Sequence, residues 1–271
     1  MREIDGKVWY SASDLVNFLG CRHATFLDLQ QIENPVKFDE DPAEHKLLQE
    51  KGLEHERRHL ERLRAEGKRI AEIPAEWSPL ARAAKTLEAM RAGFDVIYQG
   101  VLFDDPWHGY ADFLVRDDEA KSDLGKWAYD IADTKLAHSA KPKHVIQLCV
   151  YADLLARAQG VRPRRLHVVL GDGSTWSGST DEFIHYFAVA RDLFAEFAAT
   201  PPAASEPERC AHCAFCRWQP HCEARWAEID HLNQVAGIAG TQIEKLRAAG
   251  IGTLAALGKS PATRKPAGMS A

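Results

Sequence analysis

The chain has 271 residues, 45% of them hydrophobic and 27% charged, which suffices to bury one core with an appendage and excludes a disordered chain. No apolar run approaches the roughly 20 residues that cross a bilayer. The opening MREIDGKVWY has no secretion-signal core, so a cytoplasmic protein without a membrane partner is expected. The formal net charge is −5, so any attraction for a polyanion must come from local basic patches.

In chain order, apolar spacing at Leu15, Phe18, Leu19, Phe26 and Leu27 predicts a helix over 11–30, with Cys21 inside it. A second helix is expected over 42–66, and a third opens at the cap Ser78 with Pro79 and stops at Gly93. The period then changes, and 94–103, 110–116 and 127–134 read as strands. A helix from Pro142 to near Gly160, a buried strand over 164–170 and a helix over 181–199 follow, with no internal repeat. This order predicts an α/β domain over 1–204, with a central mixed sheet flanked by helices. Beyond it lie a cysteine cluster over 205–232 and a glycine-punctuated helical hairpin over 233–258. The tail 259–271 has no periodicity and is expected to be disordered.

Two of the strands carry acids. Asp112 interrupts the apolar run Gly109–Val115, and a buried carboxylate is costly unless it meets a cation. Asp133 and Lys135 are two apart, so they share one face of their strand. Asp112 and Asp133 can hold a divalent ion between adjacent strands, and oxygen ligands suit Mg²⁺ or Mn²⁺. Lys135 would stabilise developing negative charge in the same space. The plainer alternative is a strand-end ion pair between Asp133 and Lys135, with Asp112 at a turn. In the second helix, Glu56 is three residues after Leu53, four before Leu60 and seven before Leu63, which places it on the core-facing stripe. His55 shares its face with Lys51, Gly52, Arg58 and His59 and is expected in solvent. Glu56 rather than His55 is therefore the expected further metal ligand.

Taken together, Gly52-x-x-x-Glu56, Gly109-x-x-Asp112, Asp133-Thr134-Lys135 and Gln147-x-x-x-Tyr151 fall in one order over about residues 50–155. This order resembles the RecB-type nucleases of the PD-(D/E)xK superfamily. The resemblance implies a restriction-endonuclease-like core that cleaves DNA with Mg²⁺ or Mn²⁺, with a place in repair or recombination. It implies that Gln147 and Tyr151 support the lysine or touch the DNA strand. Many such nucleases have His at the first-helix position, which keeps His55 as a rival ligand.

Cys210-x-x-Cys213-x-x-Cys216-x5-Cys222 gathers four of the six cysteines, and in a reducing compartment such crowding points to metal rather than disulfides. Four thiolates suit a structural zinc or an iron–sulfur cluster. The chain is also similar to AddB-type and CRISPR-adaptation exonucleases, in which one cysteine precedes the nuclease core and three follow as C-x2-C-x5-C. That likeness implies a [4Fe–4S] cluster on Cys21, Cys213, Cys216 and Cys222, with Cys210 a spare and rival ligand and Trp218 as a shield. Cys149 reads as a small buried hydrophobe.

Val235–Gly240, the helix after it and Gly250–Gly252 look like a helix-hairpin-helix, whose backbone N–H groups near Gly237 and Gly240 would meet a DNA phosphate. A plain packing unit is the alternative. Lys141, Lys143, Arg162, Arg164 and Arg165 are further candidates for phosphate contact, with a solvated surface as the ordinary reading. In the family this order resembles, the unit often continues into a ribonuclease-H-like domain and a superfamily-one helicase. A helicase, in trans or as a missing C-terminal part, is thus an implied partner. The expected activity is exonucleolytic, on single strands or duplex ends. The competing expectation is a non-catalytic nucleic-acid-binding module held by zinc or iron–sulfur, and an RNA nuclease is a third. Clustered carboxylates argue against the binding module, because without a metal they repel phosphate.

Overall fold

The computed structural model describes residues 1–4, 6–38, 43–261 and 267–268. The chain divides into two units, one of Met1–Val16 with Asp39–Glu196 and one of Asn17–Phe38 with Phe197–Ala271. The first unit opens with a short antiparallel ladder, β1 (Arg2–Ile4) and β2 (Lys7–Trp9). Helix α1 (Ala12–Gly20) and helix α2 (Arg22–Glu33) stand where one helix is expected over 11–30. The break is Cys21, whose backbone is extended and whose Sγ accepts from Ala24 N as the cap of α2.

The first unit is α/β. Its mixed sheet has six strands in sequential order: β3 (Ile70–Glu72), β4 (Val96–Asp104), β5 (Trp107–Asp117), β6 (Ala128–Thr134), β7 (Arg165–Val169) and β8 (Thr175–Ser179). Only β3–β4 and β6–β7 pair in parallel, and these are the pairs separated by a helix, as a parallel connection requires. Helix α3 (Ala43–Ala65) precedes β3, α4 (Pro79–Arg91) joins β3 to β4 and α5 (Pro142–Gln159) joins β6 to β7. The ends of α4 follow from its sequence, for Ser78 Oγ accepts from Ala81 N and Gly93 takes φ +65° just past the last turn. The last helix of this run is α6 (Thr180–Ala199).

All seven residues of β6 are buried, including Asp130 and Asp133, so this strand is covered on both faces. Leu60 of α3 packs with Val96, Phe113 and Ala132 of three successive strands, which seats the C-terminal half of α3 on the sheet. The strands β3 and β8 are missing from the sequence reading because each is short and polar, and neither IAE nor TWSGS shows a hydrophobic period.

In the second unit, helix α7 (Gln219–Glu228) packs Trp218, Cys222 and Trp226 against Ala24, Phe26 and Leu27 of α2. Asp28 is buried there and accepts from Trp218 Nε1 at 2.6 Å, while Arg217 pairs with it at 2.6 Å. This apolar and charged tie is why 17–38 groups with the C-terminal segment and not with a domain ending at 204. Helices α8 (Gly240–Ala248) and α9 (Leu254–Lys259) close on a small core of Leu232, Ile243, Leu246 and Ile251, the expected helical hairpin. Lys259 ends α9, so it is helical rather than tail, and 262–266 and 269–271 lie outside the described residues. Among the described residues, no helix is long and apolar enough to cross a membrane.

Candidate active site and cysteine pocket

Strand register builds the acid site. The β4–β5 ladder pairs Tyr98 with Phe113 and Gly100 with Ala111, leaving Gln99 and Asp112 between them out of the register. Gln99 has φ +57°, a left-handed backbone that a non-glycine residue adopts at a cost of about 1–3 kcal/mol. The β5–β6 ladder ends at Phe113 and Ala132, so Asp112 and Asp133 are the next residues on the two strands. There the carboxylate takes over from the ladder: Asp112 Oδ2 accepts from Thr134 N at 2.9 Å and from Thr134 Oγ1 at 3.0 Å. Asp112 is thus a half-buried strand residue and not a turn residue. The Lys135 backbone N–H donates to Val169 O at 2.9 Å, and its Nζ pairs with Asp133 Oδ2 at 2.5 Å. That ion pair aside, Asp133 Oδ2 is buried with no hydrogen-bond partner.

Helix α3 supplies the third acid. Glu56 is buried, Gln99 Nε2 donates to its Oε1, and the Tyr98 hydroxyl hydrogen-bonds it as well. His55 corrects the sequence reading, because it is as buried as Glu56 and its Nε2 donates to Val169 O at 3.3 Å. The expected phase was anchored on Leu53, which is exposed. The covered stretch of α3 starts only at His55, where the helix meets the sheet, and there two adjacent residues reach different strands.

The charges in this site are out of balance. Burial raises Glu56 above the usual carboxylate range, with Asp112 adding to the rise. Burial pushes Asp133 up to about 8, and Asp112 is again the second cause. Burial alone would lower Lys135, but Asp133, Asp112 and Glu56 outweigh it and hold the ammonium above its ordinary value. Three carboxylates thus face one cation. A divalent ion would close that imbalance, and oxygen donors are the hard ligands Mg²⁺ or Mn²⁺ takes. Among the described residues no three such side chains already form a metal-binding group. At this site Lys135 and Thr134 occupy oxygens of Asp133 and Asp112.

Helix α5 lies beside the acids. Gln147 Nε2 donates to Tyr151 Oη at 3.0 Å, and burial, then Asp133, raises the Tyr151 phenol. A Cβ at Gly109 would stand 2.7 Å from the Tyr151 ring, which is the steric reason for glycine three residues before Asp112. Gly52 has no such reason, since nothing lies within 4 Å of a Cβ there. Lys141 and Lys143 are exposed at the start of α5. Burial, followed by Lys135, Lys143 and Lys141, lowers buried His144 to about 4, so these ammoniums converge on one end of the helix. Arg162 and Arg164 are instead committed to Asp181 and to Asp117 and Glu119. Tyr98, Gln99, Thr134 and His144 are site residues that motif spacing misses. Only Thr134, the middle of Asp133-x-Lys135, has a sequence signal.

In the second unit Cys21, Cys213, Cys216 and Cys222 line one pocket with His23 and Trp218. Cys210 is not in its wall, although its Sγ is 3.8 Å from Cys213 Sγ and 3.5 Å from Gly20 O. All of these thiols are free, and burial, then Cys216 and Cys21, pushes Cys222 up to about 12. Soft thiols sharing one pocket suit a zinc or iron–sulfur donor set, although only Cys222 of them is buried and, among the described residues, they do not form a preformed metal group. Cys149 is fully buried on α5, and burial alone raises its thiol to about 12. In the hairpin Gly237 takes φ +70°, and Gly240 opens α8 with nothing within 4 Å of a Cβ. No family model and no curated protein matches this chain.

Proposed function

We propose that this chain is a metal-dependent nuclease that hydrolyses DNA phosphodiester bonds, acting on single strands or duplex ends. The observation that carries this reading is the meeting of Glu56, Asp112, Asp133 and Lys135. They come from a helix and two adjacent strands that end their ladder at the acids. This supports a PD-(D/E)xK core of the RecB type. Glu56, Asp112 and Asp133 would hold Mg²⁺ or Mn²⁺, and His55, tied to Val169 O, supports the same wall. The ion, when bound, supplies Lewis acidity to a phosphoryl oxygen. Lys135 keeps its proton and places positive charge where the pentavalent phosphorus gathers negative charge. Gln147 holds the Tyr151 hydroxyl beside the acids, while Lys141 and Lys143 offer phosphate contacts on the same end of α5. The Gly237 and Gly240 hairpin would add backbone donors for a phosphate.

The same reading assigns a [4Fe–4S] cluster to Cys21, Cys213, Cys216 and Cys222, supported by their sharing one pocket that omits Cys210. Zinc is the alternative metal, and a helicase is the partner the sequence resemblance implies. The test is a cleavage assay on end-labelled single-stranded DNA, duplex DNA and RNA with Mg²⁺, Mn²⁺ or chelator. Cleavage of DNA that needs the metal and falls at least about 100-fold in Asp133→Asn supports the reading. Metal-independent cleavage, or full activity in Asp133→Asn, overturns it.

A further inference from the structure

We infer that His23 is a hydrogen-bond donor to the centre held by the four pocket cysteines, acting through Nε2–H, an inference that rests on the iron–sulfur reading of those cysteines. His23 follows Cys21 by two residues in the first turn of α2 and is 9% exposed. Its two nitrogens are treated differently. Nδ1 lies 2.8 Å from Ser205 Oγ, whereas Nε2 is buried with no partner among the described residues. The ring stacks on Phe26, with centroids 6.2 Å apart and planes 25° from parallel, so packing restrains its turning. An unpaired buried polar group is destabilising, so a fold that fixes one in place calls for a partner.

The partner chemistry is set by the walls. The same pocket is lined by Cys21, Cys213, Cys216 and Cys222 beside Glu208 and His212, and Glu208 is engaged by Arg247 at 2.8 Å and by Asn233, so sulfur is the acceptor left for His23. Four cysteines complete the ligand set of a cubane, which leaves the imidazole as a donor rather than a ligand. In the inferred arrangement the Ser205 hydroxyl donates to Nδ1, which leaves the ring hydrogen on Nε2, as outer-shell partners fix the tautomer of histidines around metals. Hydrogen bonds to cluster sulfurs favour the more negative, reduced form and so raise its potential.

The experiment uses the full chain, purified anaerobically or loaded with iron and sulfide, with iron content and reduction potential measured. His23→Leu removes the donor at similar volume, His23→Gln keeps an N–H, and Ser205→Ala frees the tautomer. The expected result is unchanged iron in all three, and a potential shifted negative in His23→Leu. His23→Gln should recover part of that shift, and Ser205→Ala should show a smaller one of the same sign. A wild-type potential in iron-loaded His23→Leu overturns the inference while leaving the cysteine reading in place. If His23→Leu sheds its iron, an unchanged potential in Ser205→Ala overturns it. Zinc alone or no metal in the wild-type chain overturns the cysteine reading and this inference together.

Discussion

In the sheet unit, like-charged groups are held by strand register: Asp112 and Asp133 follow the last ladder pair, Thr134 and Lys135 occupy their oxygens, and Gln99 donates to Glu56. In the other unit the thiols hang on a helix cap, a 3-10 turn (Ala211–Phe215) and helix α7, and Cys222 is itself part of the small apolar cluster around Trp218 and Trp226. The acids therefore sit at the end of a strand ladder that pairs without them. The thiols are part of their frame. Metal affinity at the first site should show in activity, and at the second in folding, because a metal that is needed to complete a core contributes its binding energy to stability.

The largest expected effect tests the first half of that contrast. Asp112→Ala, Asp133→Asn and Lys135→Ala should each cut metal-dependent cleavage by at least about 100-fold. Asp133→Asn should at the same time melt no lower than wild type in metal-free buffer, and higher at neutral pH. The sign follows from its raised pKa: the unfolded chain ionises this carboxyl first, so stability is lost as pH rises, and the amide removes that loss. A variant that is both dead and unfolded would break the contrast. Next in size, Cys216→Ser and Cys222→Ser should shed metal and destabilise the second unit by about 1–3 kcal/mol or more, read from thermal melts followed by tryptophan fluorescence. Cys210→Ser should do neither, and Cys149→Ala should cost only a small cavity in the first unit.

Buried histidine sharpens the comparison within the sheet unit. His108 is 1% exposed, and burial, then Arg2, lowers it to about 4. As pH falls from its ordinary value near 6.5 toward 4, the unfolded chain takes up the proton and the folded chain does not, so stability is lost over that window. His108→Gln should flatten the acid limb of a plot of melting temperature against pH, while cleavage at neutral pH stays unchanged. An acid limb as steep as wild type would mean that other groups carry it.

What the sequence disclosed and what it hid follow from range. Strands β4 to β7 and helices α3 to α6 announce themselves because each has its own period or cap, and Ser78-Pro79 and Gly93 bound α4 as read. The acid and lysine positions were legible because D-x-K puts both side chains on one face of a strand. His55 was misplaced because helix phase says which residues align and not where the neighbouring sheet begins. Gln99 was invisible because its left-handed backbone is imposed by the gap between two ladder pairs. The grouping of 17–38 with the C-terminal segment was hidden for a related reason. It rests on Asp28 meeting Trp218 and Arg217, roughly two hundred positions away, and no local pattern carries such a contact.

The two motif glycines give the smallest and most discriminating test. At Gly109 a methyl would meet Tyr151 at 2.7 Å and Leu154 at 3.0 Å, and both belong to α5. Gly109→Ala should therefore push α5 off β5, costing about 1–3 kcal/mol by overpacking and lowering activity by misplacing Tyr151. At Gly52 a methyl meets nothing within 4 Å, and the residue lies inside α3. Alanine is favoured over glycine in a helix interior by about 0.5–1 kcal/mol, so Gly52→Ala should raise the melting temperature slightly. If glycine there is only an accident of the helix, cleavage stays at the wild-type rate. If the bare backbone lets a DNA strand approach α3 next to Glu56, the same variant becomes more stable and less active, with the loss in KM rather than kcat. A melting curve and a substrate titration on this one variant separate the two cases, and a Gly52→Ala chain that is less stable than wild type would contradict the open space around it.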